Sequence, residues 1–186
     1  MRILMTYKFY LPNYGGVEML IHTIAKSLVK QGYEVNVLTL NFSRKVGENK
    51  MPREEYIDGV KVIRLNTTRP LKDQVDYFIS TMDLVHLRRI LEQFDIIHIF
   101  SSMPSLLLFI TLKLCDKLGV YNVWQPIFIP GRYRHYKEAS LRLIGYTYDE
   151  YILPLLAKQV DAIIALTDEE ASFFQRKSQS TCLCTR

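Results

Sequence analysis

The chain has 186 residues, enough to bury one sizeable core and too few for two domains of ordinary size. With 48% hydrophobic and 23% charged residues it has the mix of a folded globule, which excludes a disordered or collagen-like chain. A net charge of +5 is compatible with phosphate, anionic lipid or nucleic acid as a partner and selects none of them.

From the N-terminus, Arg2 to Tyr7 predicts a first strand. This end carries one charge, a short apolar run and no small-residue cleavage site, so it does not read as an export signal, and the expected compartment is the cytoplasm. A helix is predicted from about Gly16 to Gln31, because Val17, Leu20, Ile21, Ile24, Ala25, Leu28 and Val29 recur at the spacing of one buried stripe. Gly32 ends it with a residue that tolerates a left-handed cap. Val35 to Leu40 predicts the second strand, and the polar run Asn41 to Arg53 an exposed loop. Asp58-Gly59, between Tyr56-Ile57 and Val60 to Leu65, is a hairpin signal that extends the sheet edge.

Helical spacing returns from Asp73 to Gln93, followed by a strand at Asp95 to Phe100. Met103 to Leu118 predicts an apolar helix closed by Gly119. Its longest apolar stretch, Met103 to Leu112, is far short of the roughly 20 residues that span a bilayer, so it reads as a buried crossover. A strand at Tyr121 to Gln125, a loop from Pro126 to Lys137 and a helix from about Glu138 to Lys158, bent or restarted around Pro154, come next. The last pair is the strand Ala162 to Leu166 and a helix opened by the capping box Thr167-Asp168-Glu169-Glu170.

Residues 178–186 carry no period and are expected to be an irregular tail, disordered or frameshifted, which leaves 1–177 as the domain. Cys115 stands alone, and Cys182 and Cys184 are too close for an ordinary bridge, so neither a disulfide framework nor a metal site is expected. Short strands alternating with helices define the fold class as α/β, a Rossmann-like parallel sheet with helices on both faces.

Three groups of residues are candidates for chemistry. Gly15-Gly16 leads directly into a helix N-terminus, where free amides and the helix dipole favour a phosphate; the competing reading is a tight turn that needs positive φ. It is not the G-x-G-x-x-G dinucleotide fingerprint, since the third glycine is missing and the loop is too long, which argues against a nicotinamide-dependent oxidoreductase. His98, Ser101 and Ser102 close a predicted strand, where open α/β sheets bind ligands, although a satisfied core histidine is the favoured reading of His98. Arg132, Arg134 and His135, with Lys137, form a basic group for an acceptor phosphate or anionic headgroup, or else a solvated loop. Tyr133, Tyr136, Tyr146, Tyr148 and Tyr151 add aromatic surface, explained equally by packing against the sheet.

Tyr10-x-Pro12-x-x-Gly15-Gly16-x-Glu18, followed by an amphipathic helix ending in Gly32-Tyr33-Glu34-Val35, resembles the start of the retaining GT-B glycosyltransferases of the family 4 type. Asp58 to Leu65, Phe94 to Ser102 and Val160 to Thr167 resemble the family's later blocks in the same order, so the likeness covers residues 2 to 177. The resemblance implies an acceptor-side, N-terminal GT-B domain, with Gly15 and Gly16 facing the donor's phosphates. It implies hexosyl transfer from a nucleotide diphosphate sugar to a hydroxyl acceptor, lipid-linked or polysaccharide, with retention of configuration. No metal or other cofactor is implied, which suits a sequence lacking Asp-x-Asp. No catalytic residue is assigned. Ile127 or Ile129 stands where the family has the histidine of a Thr-x-His block.

The donor-gripping domain and its Pro-Asn-Gly linker are not in this sequence, so the chain alone is expected not to transfer sugar. Expected partners are the nucleotide sugar, the acceptor, the inner face of a membrane through peripheral contact, and a separate donor-binding subunit or second copy, but no nucleic acid. The competing function is a stand-alone acceptor-, membrane- or partner-binding module, or a degenerate remnant, without catalysis.

Overall fold

The computed structural model describes residues 1–43, 47–68, 78–101, 105–127, 129–178 and 182–184. β1 (Arg2–Thr6) leads to α1 (Gly16–Lys30), β2 (Glu34–Leu40), a ribbon of β3 (Phe42–Ser43) and β4 (Gly47–Glu48), and the hairpin β5 (Glu54–Ile57) and β6 (Val60–Leu65). A second ribbon, β7 (Thr67–Thr68) with β8 (Phe78–Ile79), precedes α2 (Thr81–Leu91), β9 (Ile96–Phe100), α3 (Leu106–Leu118) and β10 (Tyr121–Gln125). A 3-10 turn (Arg132–His135), α4 (Ala139–Thr147), a π-helical segment (Tyr148–Ile152) and α5 (Leu153–Ala157) then lead to β11 (Ala162–Ala165), α6 (Asp168–Ser178) and β12 (Cys182–Cys184).

The main sheet runs β12-β11-β10-β9-β1-β2-β6-β5, parallel throughout except for β5, which pairs antiparallel with β6 at the edge. Strands buried on both faces must be apolar on both, which is why these segments read as apolar runs and not as alternations. On one face Ile21 and Ala25 of α1 pack on Ile3, Met5, Val35, Val37 and Val62. On the other, Leu87 and Leu91 of α2, Leu108 and Leu112 of α3, Leu156 of α5 and Phe174 of α6 cover Leu4, Ile97, Ile99, Trp124 and Ile163. Thus the α/β sheet has helices on both faces, with α3 the buried crossover expected of it.

Local signals were kept where local geometry decides. Asp58 and Gly59 both have positive φ, 51° and 83°, the pairing that matches the twist of a two-residue hairpin. Thr167 Oγ1 accepts from the Glu170 N–H at 3.1 Å while the Glu170 carboxylate reaches back to the Leu166 N–H at 2.7 Å, so the capping box forms.

Three expectations are corrected, and one is refined. The run 41–53 is not only loop, because β3 and β4 pair within it. The helix sought from Asp73 begins at Thr81, and 69–77 lie outside the described residues. The helix expected across 138–158, bent or restarted around Pro154, forms as expected: Ala139–Thr147, the π-wound Tyr148–Ile152 and Leu153–Ala157 follow without a break, and the π turn comes just before Pro154, which has no N–H to give Glu150. Within the tail, Cys182–Cys184 is a strand, held by parallel pairing to β11 at Ile163, Ile164 and Ala165, a partnership no local pattern signals.

Candidate functional site

The chain order of the strands reverses between β1 and β9, and the C-terminal ends of these two form the crevice where open α/β sheets take ligands. The loop 7–15 leaves β1 there and delivers Gly15 and Gly16 to the start of α1. Neither glycine has positive φ; Gly15 is extended at φ −160°, so the tight-turn explanation fails. What matters is the missing Cβ. At Gly15 it would lie 2.4 Å from Glu18 Oε2, the carboxylate that folds back over the helix N-terminus. At Gly16 nothing among the described residues lies within 4 Å beyond its chain neighbours and its own helix backbone, so no described side chain covers the helix end there.

This loop is clamped from behind. Arg64, fully buried on β6, donates from Nη2 to the Leu11 carbonyl at 2.7 Å and from Nη1 to the Pro52 carbonyl at 3.3 Å, and pairs with Glu55. Asn13 Nδ2 donates to the Phe42 carbonyl at 2.8 Å. Nε2–H of His22 donates to Asp58 at 3.2 Å, leaving Nδ1 to accept from the buried Tyr10 hydroxyl at 2.7 Å. Lys26, then His22, hold the Asp58 carboxyl below its ordinary range. These groups border a groove of about 580 Å³ that runs down the flank of α1, past Tyr14, Lys26 and Lys30, away from the strand ends.

His98 sits in β9 with its ring stacked on Phe100 at 4.1 Å, and its Nε2–H donates to Gln125 Oε1 at 3.0 Å. It is therefore buried and partnered. Ser101 is equally engaged, its Oγ accepting from Trp124 Nε1–H at 2.9 Å. Ser102 lies outside the described residues. Beyond β10, Ile127 is half-buried against the cluster that holds Tyr7 and Phe100, and its φ is 49°. Left-handed backbone at a β-branched residue stores about 1–3 kcal/mol of strain, which marks this strand end as specially shaped. Ile129 is 61% exposed, so of the two isoleucines Ile127 is the one packed at the strand end.

Arg132, Arg134 and His135 occupy the 3-10 turn with exposed side chains, the Arg134 guanidinium 5.8 Å from the Tyr133 ring centre. Sequence reasoning missed the acid behind them. Asp149, buried in the π segment, accepts from the Gly131 N–H at 3.3 Å and anchors the turn. Burial raises its carboxyl to about 6, against the lowering effect of the Gly131 N–H, with Glu150 adding a smaller rise. Of the five tyrosines, Tyr148 packs against the core, while Tyr136, Tyr146 and Tyr151 remain exposed.

Burial pushes the His98 ring down to about 4 from 6.5, with the Gln125 hydrogen bond opposing. Its neutral form is the one the fold holds, so its contribution is complete above the unfolded value and is lost as pH falls toward 4, by about 3 kcal/mol in all. Asp149, raised in the fold, acts in the opposite sense, losing stability as pH rises through about 6. Comparing urea unfolding of wild type and His98→Gln between pH 7 and pH 4 separates the two. The stability advantage of wild type is expected to shrink by about 3 kcal/mol over that range; a difference independent of pH contradicts a neutral, buried His98.

The family described as Glycosyltransferase Family 4 matches residues 14–180. No curated protein matches the sequence. Among solved structures, sucrose-phosphate synthase from Thermosynechococcus elongatus superposes with a TM-score of 0.60 at 13% identity, over 98% of this chain and 47% of that one. A second structure of that synthase gives 0.55 at 12%, covering 100% of this chain and 87% of the other. UDP-GlcNAc 2-epimerase from Methanocaldococcus jannaschii gives 0.54 at 12%, over 95% of this chain and 42% of that one. At such identities the likeness is one of fold, and the chain spans about half the length of the first and third.

Proposed function

The chain belongs to glycosyltransferase family 4, and from that premise we infer that it is the acceptor-side GT-B half of an enzyme moving a hexose from a nucleotide diphosphate sugar to a hydroxyl, with retention of configuration. The observation that carries this reading is the end of α1 at the strand-order reversal, where a Cβ at Gly16 would meet no atom within 4 Å among the described residues beyond its chain neighbours and its own helix backbone. The first amides of a helix have no intrahelical acceptors and sit at the positive end of its dipole. A donor diphosphate seated there gains stabilisation as it takes on charge and leaves, a task that amides and cations perform without a metal. Glu18 must then swing its carboxylate away from Gly15. The clamp from Arg64, Asn13 and the Tyr10–His22–Asp58 chain holds the amides in place for this.

No nucleophile or general base is assigned, since the Nε2–H of His98 is committed to Gln125. We assign the gripping of the nucleotide to a second domain, so that the chain by itself binds donor weakly and does not turn it over. The alternative is a binding module without chemistry, favoured by the exposed apolar surface of α4.

The discriminating experiment titrates the isotope-labelled chain with a panel of nucleotide diphosphate hexoses and follows backbone amides by NMR. Shifts at Gly15, Gly16 and Val17 are expected, and Gly16→Val erases them while changing stability by less than about 1 kcal/mol, because the added Cβ clashes with none of the described residues. Silence at these amides with every donor overturns the reading and leaves the module. Shifts that survive Gly16→Val place the donor elsewhere.

A further inference from the structure

Glu18 is the acid in the first turn of α1. It is 6% exposed, and among the described residues no hydrogen bond or ion pair reaches its carboxylate. The next basic side chains along α1 are committed elsewhere. His22, one turn further on the same face, has one ring nitrogen on Tyr10 at 2.7 Å and the other on Asp58 at 3.2 Å. Lys26 pairs with Asp58 at 2.8 Å, and Arg64, which clamps the same loop, pairs with Glu55. Burying a carboxylate without a partner is costly. What remains to hold this one is the positive end of the helix at which it sits.

The carboxylate turns back over the helix start. A Cβ at Gly15 would collide with its Oε2 and stand 3.1 Å from its Cδ. The backbone of Gly15 is extended, a conformation open to any residue, so it is this contact that calls for glycine at position 15. A negative group of the protein itself thus lies against the helix start at which the donor's diphosphate is seated in the reading above. Two anions a few ångströms apart repel strongly even at the screening found near a protein surface, so carboxylate and phosphate exclude each other there.

We propose that Glu18 is an anion gate on the diphosphate seat: its carboxylate, folded over the Gly15 end of α1, has to be expelled by whatever anion binds there. The gate rests on the donor reading and adds a threshold to it. Expulsion costs the same for every anion. Free phosphate and pyrophosphate bring charge alone and are held off, whereas a nucleotide diphosphate sugar also brings contacts of its base, ribose and hexose, which offset the cost.

The test titrates the isotope-labelled 186-residue chain with inorganic pyrophosphate and follows backbone amides by NMR. Wild type is expected to bind weakly, through Gly15, Gly16 and Val17. Glu18→Gln, which keeps the shape of the side chain, and Glu18→Ala, which removes it, should both tighten binding at those amides about tenfold, the change that matches one forfeited charge–helix interaction. Glu34→Gln removes an exposed carboxylate at the opposite, N-terminal end of the strands and should stay within about twofold of wild type. Unchanged or weaker binding in both Glu18 variants, with shifts still at the three amides, overturns the gate and leaves the donor seat standing. An equal gain in Glu34→Gln traces the effect to net charge and also overturns the gate. No shift at these amides in any of the four proteins overturns the gate together with the seat it guards.

Discussion

Trp124→Ala is expected to lower the unfolding free energy by about 4 kcal/mol, read as a shift of the urea midpoint at unchanged slope. Trp124 is fully buried in the centre of the sheet and is packed edge-on to Phe174 of α6 at 5.5 Å. Truncation leaves a cavity the size of an indole under β9 and β11, and strands locked in register cannot close over it. It also leaves the Ser101 hydroxyl without the Nε1–H donor, at the end of the strand that borders the crevice. Trp124→Phe isolates that second loss: most of the volume is kept, and a cost of about 1–2 kcal/mol is expected. A cost for Trp124→Phe equal to that of Trp124→Ala would mean that the hydrogen bond, and not packing, dominates. Total stability for a domain of this size is about 5–15 kcal/mol, so the alanine variant comes close to the threshold of folding.

Arg64→Met is the second large effect, expected at about 3 kcal/mol. The guanidinium lies wholly out of water and serves the Leu11 and Pro52 carbonyls and Glu55 at once. Methionine fills the volume of the stem but strands those acceptors. The figure sits at the low end for a broken buried pair because the Glu55 side chain is 33% exposed and can rehydrate, and because Arg64 Nε has no hydrogen-bond partner even in the intact site. The functional consequence is specific. Leu11 belongs to the loop that presents Gly15 and Gly16, so amide hydrogen exchange across 7–15 should quicken in the variant more than elsewhere. An unchanged midpoint and unchanged exchange in that loop would show that the clamp contributes nothing.

The two effects fall on residues that the sequence marks in different ways. Trp124 lies in a predicted strand, but nothing local marks its partner, the Ser101 hydroxyl, which the sequence offers as a cleft residue. Arg64 was part of a family-like block and carried no sign that its charge would be taken inside. The same holds for Asp149, whose burial depends on a π turn with no sequence signature. Glu18 stood in the quoted motif, three residues after Gly15, and its position in the first helical turn was the available hint that its carboxylate would fold back.

What the sequence determined alone is the order and kind of the main elements. The buried stripe of α1, the turn at Asp58-Gly59, the stops at Gly32 and Gly119 and the capping box at Thr167 depend on φ preferences and on contacts within four residues, so they are written locally. Tertiary structure alone decided what each side chain faces. Arg64 reaches Leu11 across 53 positions, His98 reaches Gln125 across 27, and Trp124 reaches Ser101 across 23. β12 exists through its pairing with β11, and α4 keeps its side chains out of the core although the 3-10 turn and Tyr151 of the π segment lie against it. Local periodicity sets the backbone state and the side that is apolar, whereas the partner is chosen by the global closure of the sheet, when strands distant in sequence come into register.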